Sequence, residues 1–99
     1  MAKYTLSNKA VEDLSSIWAY TYETWSESQA DKYYELVTNS FGEIVRNPEL
    51  GKHYTEIDPA IFGHCVGKHI VFYRVMKSGD IEIVRILHQR MDLKSRMDE

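Results

Sequence analysis

Residues 68–92 are rich in β-branched and aromatic residues and read as two strands joined by a tight turn. We predict strands over His69–Met76 and Ile81–His88, because Ile, Val, Phe and Tyr favour pleated, largely buried backbone. Between them, Lys77–Asp80 has the composition of a turn, and Gly79 can adopt the positive φ of a short hairpin loop. We expect the rest of the chain to be organised around this hairpin.

Two amphipathic helices are predicted in the first half of the chain. Ser7 can cap the first helix, and Ser26 with Gln29 has the form of a capping box for the second. Each helix carries one stripe of residues at helical spacing that we expect to be core. The first stripe is Ala10, Leu14, Ile17, Trp18, Thr21 and Trp25, and the second is Ala30, Tyr34, Val37, Phe41, Ile44 and Val45. Pro48 ends the second helix, since it disfavours helical backbone at the preceding residue.

The remaining segments complete an α+β pattern. Lys3–Leu6 reads as a short edge strand and Phe62–Val66 as a third strand of the sheet, whereas residues 48–61 read as an ordered loop. The order β-α-α-β-β-β predicts a single domain over residues 1–99. In it, an antiparallel helical hairpin packs on one face of a C-terminal antiparallel sheet of three to four strands.

Side-chain alternation predicts that both faces of the central hairpin are apolar. The opposed sets are Ile70, Phe72 and Arg74 against Val71, Tyr73 and Val75 in one strand, and Ile83, Arg85 and Leu87 against Val84, Ile86 and His88 in the other. A helical hairpin covers only one face. The second face therefore needs a loop, another subunit or another protein to cover it.

Composition indicates a soluble protein of a reducing compartment. A hydrophobic fraction of 43 % suits a folded globular chain, and a single cysteine, Cys65, permits no internal disulfide. No segment approaches the roughly 20 apolar residues of a membrane span, and the N-terminus has no apolar run of signal-peptide length. We expect a cytoplasmic protein without membrane association.

Charge is distributed unevenly along the chain, whose net charge is −3. Residues 1–50 hold four Lys or Arg against eight Asp or Glu, a balance of −4, whereas residues 68–96 hold seven against three, a balance of +4. The positive C-terminal third favours an acidic partner, either protein or nucleic acid. Ordinary scatter of surface charge is an equally good reading.

Three kinds of site chemistry can be weighed from the residues: metal binding, a cysteine nucleophile and RNA cleavage. The four histidines are scattered without metal-ligand spacing, so no metal or other cofactor is expected, and Cys65 lacks an orienting group that would make it a nucleophile. RNA cleavage needs a base, an acid and cations, which could come from Lys68, Tyr73, Arg74, Arg85 and His88. The structural alternative is that the two arginines pair with carboxylates such as Glu82.

Several segments together resemble the ParE toxins of the RelE/ParE superfamily of bacterial toxin–antitoxin modules, over nearly the whole chain. The segments are residues 17–25, residues 29–33, Asn47-Pro48-x-x-Gly51, residues 66–75 and Ile86-Leu87-His88-Gln89-Arg90-Met91-Asp92. The His-x-Arg-Met-Asp ending is specific to the ParE side. The resemblance implies a helical hairpin on an antiparallel sheet. It also implies a toxin that acts on DNA gyrase and stabilises the cleaved-DNA state, often as part of plasmid stabilisation.

The resemblance also implies a ParD-like antitoxin with a DNA-binding N-terminal domain, through which alone the toxin meets operator DNA. For the target, we expect contacts from His88, Gln89, Arg90, Met91, Asp92, Lys94 and Arg96. For the antitoxin, we expect contacts from Lys68, Tyr73, Arg74 and Arg85 on the open sheet face. The His88–Asp92 segment could instead only anchor the strand end, and both roles remain open.

Two alternatives to a gyrase toxin remain. The first is a ribosome-dependent mRNA endonuclease, as in other branches of the superfamily, with Arg74, Arg85 and His88 as its catalytic residues and Glu49 in a loop where some relatives place a base. Against it, Gln89–Asp92 stand where nucleolytic relatives have a catalytic aromatic residue or histidine. The second is a non-toxic homologue that only assists repression of the operon.

Overall fold

The computed structural model describes residues 2–97 and shows two long helices packed on one face of a mixed sheet. The strands are β1 (Tyr4–Leu6), β2 (Lys52–His53), β3 (Phe62–Val66), β4 (His69–Val75) and β5 (Ile81–His88), and the helices are α1 (Asn8–Thr24), α2 (Glu27–Arg46) and α3 (Leu93–Met97). No helix in this range combines the length and apolar character needed to cross a membrane.

The five strands are arranged in the order β1-β5-β4-β3-β2. The predicted α+β class is confirmed, with the helical hairpin and the β3–β4–β5 antiparallel core in place. Two features are added. The N-terminal strand β1 pairs in parallel with β5, and the segment predicted to be only a loop contains the two-residue strand β2, which pairs with β3.

Both predicted helix caps form. The Ser7 hydroxyl accepts a hydrogen bond from the Ala10 amide at 3.0 Å and donates to the Val84 carbonyl at 2.7 Å, which joins the start of α1 to β5. The Ser26 hydroxyl accepts from the Gln29 amide at 3.1 Å at the start of α2. A cap satisfies amides that have no partner inside the helix, so these residues set where each helix begins.

The predicted helical stripes are only partly buried. Ala10, Leu14 and Ile17 lie in the core as predicted, but the prediction that Trp25 is core is wrong, since this residue is the C-cap of α1 and is 71 % exposed. The prediction that Tyr34 is buried is also wrong, since Tyr34 is exposed and the neighbouring Tyr33 packs against the core instead.

The core has one cluster on each face of the sheet. The helix-side cluster takes Val71 and Tyr73 from β4, and the opposite cluster takes Ile70 and Phe72, as alternation predicts. The opposite face is covered by the chain itself. The covering residues are Tyr54, Ile57 and Ile61 from the loop and Leu93 and Met97 from α3. The short helix α3 was not predicted.

A bulge in β5 overturns the predicted alternation of that strand. Phe72 pairs with Arg85 and Tyr73 pairs with Ile83, so Val84 is an extra residue in β5. An extra residue reverses the alternation that follows it. Ile83 therefore shares the helix-side cluster with Ile86, not with Leu87 as predicted.

Candidate functional site

A groove lies between the C-terminal half of α1 and the segment that follows β5, and we call it the C-terminal groove. Two adjoining cavities of about 480 and 540 Å³ form it, and Tyr20, His69 and His88 line both. Its apolar lining includes Ile17, Ile86 and Leu87, and its charged lining is Asp13, Lys68, Arg85, Arg90 and Arg96. The groove thus combines an apolar lining with an excess of cations.

An ion pair between α1 and β5 forms one wall of the C-terminal groove. The Asp13 carboxylate accepts hydrogen bonds from Arg85 Nε at 2.8 Å, from Arg85 Nη2 at 3.0 Å and from the Ile86 amide at 3.0 Å. Arg85 Nη1 donates to the Arg96 carbonyl at 2.6 Å, which ties α3 to the sheet. The Arg85 and Asp13 side chains are only 10 % and 15 % exposed, so this arginine is held in place as part of the scaffold.

The turn between β3 and β4 is built around the phenol of Tyr33, which reaches it from α2. Gly67 has a φ of 58°, and a Cβ at this position would lie 2.7 Å from the Tyr33 hydroxyl oxygen. Glycine is therefore needed both for the backbone conformation and for the close approach of the ring. The phenol lies 2.6 Å from His69 Nδ1, and burial raises its pKa.

His69 and His88 face each other across the β4–β5 pair where the two cavities meet. They are directly paired in the strand register, with ring centroids 5.2 Å apart and nearly perpendicular planes. Burial, followed by the proximity of His88, lowers the pKa of His69 to about 4, although Asp13 acts in the opposite direction. His69 is consequently neutral at pH 7.

The backbone of the His88–Asp92 segment is held by hydrogen bonds. His88 Nδ1 accepts from the Arg90 amide at 3.1 Å, and the His88 carbonyl accepts from the Met91 amide at 3.0 Å. Asp92 caps α3, because its carboxylate accepts from the Ser95 amide at 3.4 Å and from the Ser95 hydroxyl at 3.0 Å. The segment therefore anchors the strand end, whereas the Arg90 and Met91 side chains are exposed.

The residues predicted to contact the target thus fall into two groups. Those with exposed side chains are Gln89, Arg90, Met91, Asp92, Lys94 and Arg96, and His88 is half-buried in the groove. Four of them line the same cavity, namely His88, Arg90, Met91 and Arg96, whereas Lys94 lines neither cavity. The structure brings most of the predicted set to one end of the molecule.

The residues predicted to contact the antitoxin do not form one surface. Lys68 is exposed beside the C-terminal groove, and Arg74 is exposed at the other end of β4, where it pairs with Glu82 through Nε at 2.8 Å. Tyr73 is fully buried, and its hydroxyl donates to the Pro48 carbonyl at 2.7 Å. Tyr73 and the buried Arg85 therefore offer almost no surface to a partner and support the sheet from inside.

The structure brings together only part of the set considered for RNA cleavage, because Lys68, Arg85 and His88 line the C-terminal groove whereas Tyr73 and Arg74 line neither of its cavities. Arg85 and His88 line one cavity, but Arg74 is five positions along β4 from His69, or about 17 Å at the rise of a strand. Both arginines are paired with carboxylates, Arg74 with the predicted Glu82 and Arg85 with Asp13. Glu49 is exposed and lines neither cavity.

Two other predicted chemistries concern metal ions and cysteine. Across residues 2–97, no three His, Cys, Asp or Glu side chains converge in a way that could hold a metal ion. Cys65 is a free, exposed thiol on β3.

Sequence reasoning assigned no role at this site to three residues, namely Asp13, Tyr20 and Tyr33, although both tyrosines lie in segments that carry the ParE resemblance. Asp13 lies on the flank of the α1 stripe, one position before the buried Leu14. An acidic residue next to a buried position was the available signal that this carboxylate is partly buried. The roles of the two tyrosines depend on long-range contacts that helical periodicity does not encode.

Known proteins resemble the chain in sequence. Residues 4–93 match the model of a family described as ParE toxin of type II toxin-antitoxin system, parDE. Toxin ParE1 of Mycobacterium tuberculosis strain H37Rv is 38 % identical over 92 residues, which are 93 % of this chain and 94 % of the relative. Toxin ParE1 of Caulobacter vibrioides is 32 % identical over 97 residues, which are 98 % of this chain and 99 % of the relative.

Solved structures show the same fold at lower sequence identity. A chain of the chromosomal ParDE toxin–antitoxin system of P. aeruginosa superposes with a TM-score of 0.75 at 18 % identity, covering 89 % of this chain and 95 % of its own. A chain of the RelBE2 toxin–antitoxin complex of Mycobacterium tuberculosis gives 0.60 at 19 % identity, covering 89 % and 98 %. With the family match and the sequence identities, the conclusion is that this chain belongs to the ParE toxins of type II toxin–antitoxin systems, within the RelE/ParE superfamily.

Proposed function

We propose that this protein is a cytoplasmic toxin that inhibits DNA gyrase by protein–protein contact and is neutralised by a ParD-like antitoxin. The observation that carries the proposal is the family match across residues 4–93. In this proposal the toxin is not an enzyme, and it meets operator DNA only through its antitoxin. The C-terminal groove, with the segment after β5, is the surface that contacts gyrase.

The form of that surface supports contact-based inhibition. Arg90 and Met91 have exposed side chains on a backbone that is already held by hydrogen bonds to His88. A preorganised backbone loses little conformational entropy on binding. Arginine, methionine and aromatic residues are enriched in protein interfaces, and Tyr20, which is 68 % exposed, supplies an aromatic residue on the opposite wall.

The state of the cations argues against nucleolytic catalysis. A phosphodiester cleavage site needs cations that are available to the charged transition state. Here the Arg85 guanidinium is occupied by Asp13 and the Arg96 carbonyl, and Arg74 is paired at a distance from the groove. The low pKa of His69 makes it a poor general base at neutral pH.

For the antitoxin, we propose contacts from the exposed Lys68 and Arg74. Lys68 lies directly before β4 and Arg74 lies near its other end, so an acidic partner would contact this strand at its two ends. The sheet face opposite the helices is already covered by the loop and α3, which leaves the strand ends and the groove for a partner.

The test is a gyrase assay with purified toxin that scores supercoiling and trapped cleaved DNA, with and without antitoxin. Inhibition that the antitoxin relieves is expected. Arg90→Ala should weaken inhibition about tenfold without changing the melting temperature, as expected for an interface arginine. Asp92→Ala should instead lower stability by about 1 kcal/mol, because it removes the α3 cap. Lys77→Ala, in the β4–β5 turn, is the matched control for loss of an exposed cation.

Gyrase that is unaffected by folded, antitoxin-binding toxin would contradict the proposal. Ribosome-dependent mRNA cleavage abolished by His88→Ala would then identify the nuclease alternative. Absence of both activities, together with harmless overexpression, would identify a regulatory homologue that has lost toxicity.

A further inference from the structure

The Tyr33 hydroxyl is a junction of three polar contacts at the turn between β3 and β4. It lies 2.6 Å from His69 Nδ1, 3.1 Å from the Lys68 amide nitrogen and 3.3 Å from the Val66 carbonyl oxygen. The phenol thus connects α2 to both strands of the turn. Tyr33 belongs to one of the segments that carry the ParE resemblance, but helical periodicity does not mark it, because it lies beside the predicted stripe of α2.

Only one arrangement of protons satisfies all three contacts. The Lys68 amide is a donor and the Val66 carbonyl is an acceptor, so the phenol must accept from the first and donate to the second. The remaining contact then requires that His69 donates through Nδ1–H to the phenol oxygen. This arrangement suits a neutral imidazole, in agreement with a pKa of about 4 for His69.

Two routes lead from this junction to the His88–Asp92 segment. On the first, the Lys68 carbonyl accepts a hydrogen bond from the Gln89 amide at 3.0 Å, so the residue held by the phenol holds the start of the segment. On the second, the His69 ring lies against the His88 ring with 5.2 Å between centroids. His88 Nδ1 then accepts from the Arg90 amide at 3.1 Å, which fixes the His88 ring relative to Arg90.

We propose that Tyr33 is a positioning residue for the His88–Asp92 segment, which it orders through the Lys68 backbone and through the edge-to-face pair of His69 and His88. The inference rests on the proposed function insofar as this segment contacts gyrase. The hydroxyl contacts His69 and the Lys68 amide, and it acts on the segment through these two residues. In this view the helical hairpin sets the geometry of a surface that is distant from it in the sequence.

The chain contains a matched control for a purely structural role. The Tyr73 hydroxyl is also removed from solvent and also makes backbone hydrogen bonds, donating to the Pro48 carbonyl at 2.7 Å and accepting from the Gly51 amide at 2.9 Å. Burial raises the pKa of both phenols. Tyr73 supports the segment before β2, so its loss should affect stability but not the His88–Asp92 segment.

The experiment compares Tyr33→Phe with Tyr73→Phe by amide hydrogen exchange and by ¹⁵N NMR of the histidine side chains. We expect similar losses of melting temperature in the two variants. Only Tyr33→Phe should speed exchange at the Gln89 and Arg90 amides, by about tenfold, the effect of one ordinary hydrogen bond. Only Tyr33→Phe should shift the His88 resonances away from the tautomer that is protonated on Nε2.

Unchanged exchange at these amides in Tyr33→Phe would overturn the proposal, as would an equal increase in Tyr73→Phe. If Tyr33→Phe does not fold, the variant His69→Asn is tested instead. The asparagine amide can still donate a hydrogen bond to the phenol, but the imidazole ring that packs on His88 is gone. His69→Asn should then shift the His88 resonances and leave the Gln89 amide protected. An unshifted His88 would overturn the second route.

The gyrase assay separates failure of this proposal from failure of the proposed function. If Tyr33→Phe speeds exchange in the segment and reduces gyrase inhibition about tenfold while Tyr73→Phe does neither, both the positioning role of Tyr33 and the proposed gyrase target are supported. If the segment loosens but wild-type toxin has no effect on gyrase, the positioning role stands and the target is wrong. If inhibition is intact in a variant with a loosened segment, positioning of a gyrase contact is refuted.

Discussion

Substitution of Asp13 by alanine should be the most destabilising single change of a polar side chain in the region around the C-terminal groove. The carboxylate accepts three hydrogen bonds, two from Arg85 and one from the Ile86 amide. In Asp13→Ala the guanidinium stays where only 10 % of its side chain is exposed, and it keeps the Arg96 carbonyl but loses the Asp13 carboxylate. The Ile86 amide loses its acceptor in the same variant.

The magnitude follows from the cost of removing one partner of a buried ion pair. Removing one partner of a buried ion pair costs about 3–5 kcal/mol, and the residual exposure of this pair favours the lower end, about 3 kcal/mol. For a domain of this size, such a loss lowers the melting temperature by more than about 10 °C. It is also a large share of a total stability of about 5–15 kcal/mol.

Urea denaturation of wild type, Asp13→Ala, Arg85→Met and the double variant provides the measurement. The double variant lacks both members of the ion pair, so it should recover most of the loss and remain about 1–2 kcal/mol below wild type because the Ile86 amide is still unsatisfied. A loss under about 1 kcal/mol in Asp13→Ala would refute the reasoning, since it would mean that water or another group replaces the carboxylate.

Two further predictions concern stability and one concerns the target surface. In the folded protein His69 has a pKa of about 4, compared with about 6.5 in the unfolded chain. The contribution of neutral His69 to the free energy of unfolding is therefore present above pH 6.5 and is lost as the pH falls toward 4. Solvent screening of the half-exposed ring reduces this contribution to about 1–2 kcal/mol. Unfolding free energies measured at pH 7 and pH 4.5 should therefore differ less in His69→Asn than in wild type. Gly67→Ala should cost more than Gly79→Ala in thermal melts, because both have a positive φ but only at Gly67 would the new Cβ meet another side chain; equal costs would contradict the contact. Arg90→Glu should weaken gyrase inhibition more than Arg90→Ala without lowering the melting temperature, whereas Lys77→Glu should leave inhibition unchanged; parallel losses in both glutamate variants would indicate a general charge effect.

Local patterns in the sequence were sufficient to predict the helices, their caps and the central hairpin. Ser7 and Ser26 cap where their hydroxyls can reach free amides, and Val71 and Tyr73 alternate with Ile70 and Phe72 as pleated backbone requires. These features depend on residues within a few positions of each other. The ParE resemblance added the superfamily, which the family match confirms.

The site was less accessible to the same reasoning. The sequence marked the basic segment after β5, and the structure places most of it beside one groove. It did not mark Asp13 as the partner of Arg85, because the two are 72 residues apart and only the packing of α1 on β5 joins them. The bulge at Val84 was also invisible, since one extra residue in a strand leaves no trace in composition.

The sequence by itself determined the two long helices, the strands β1, β3, β4 and β5, the fold class and the family, because periodicity, caps and motifs are local properties of the chain. The tertiary structure decided which residues are exposed and which are held. In the folded chain Tyr73 and Arg85 are buried, Trp25 is exposed, and the Tyr33 hydroxyl contacts the His69 ring. The physical reason is that exposure and hydrogen bonding depend on contacts between segments that are distant in sequence, and those contacts exist only after the chain has folded.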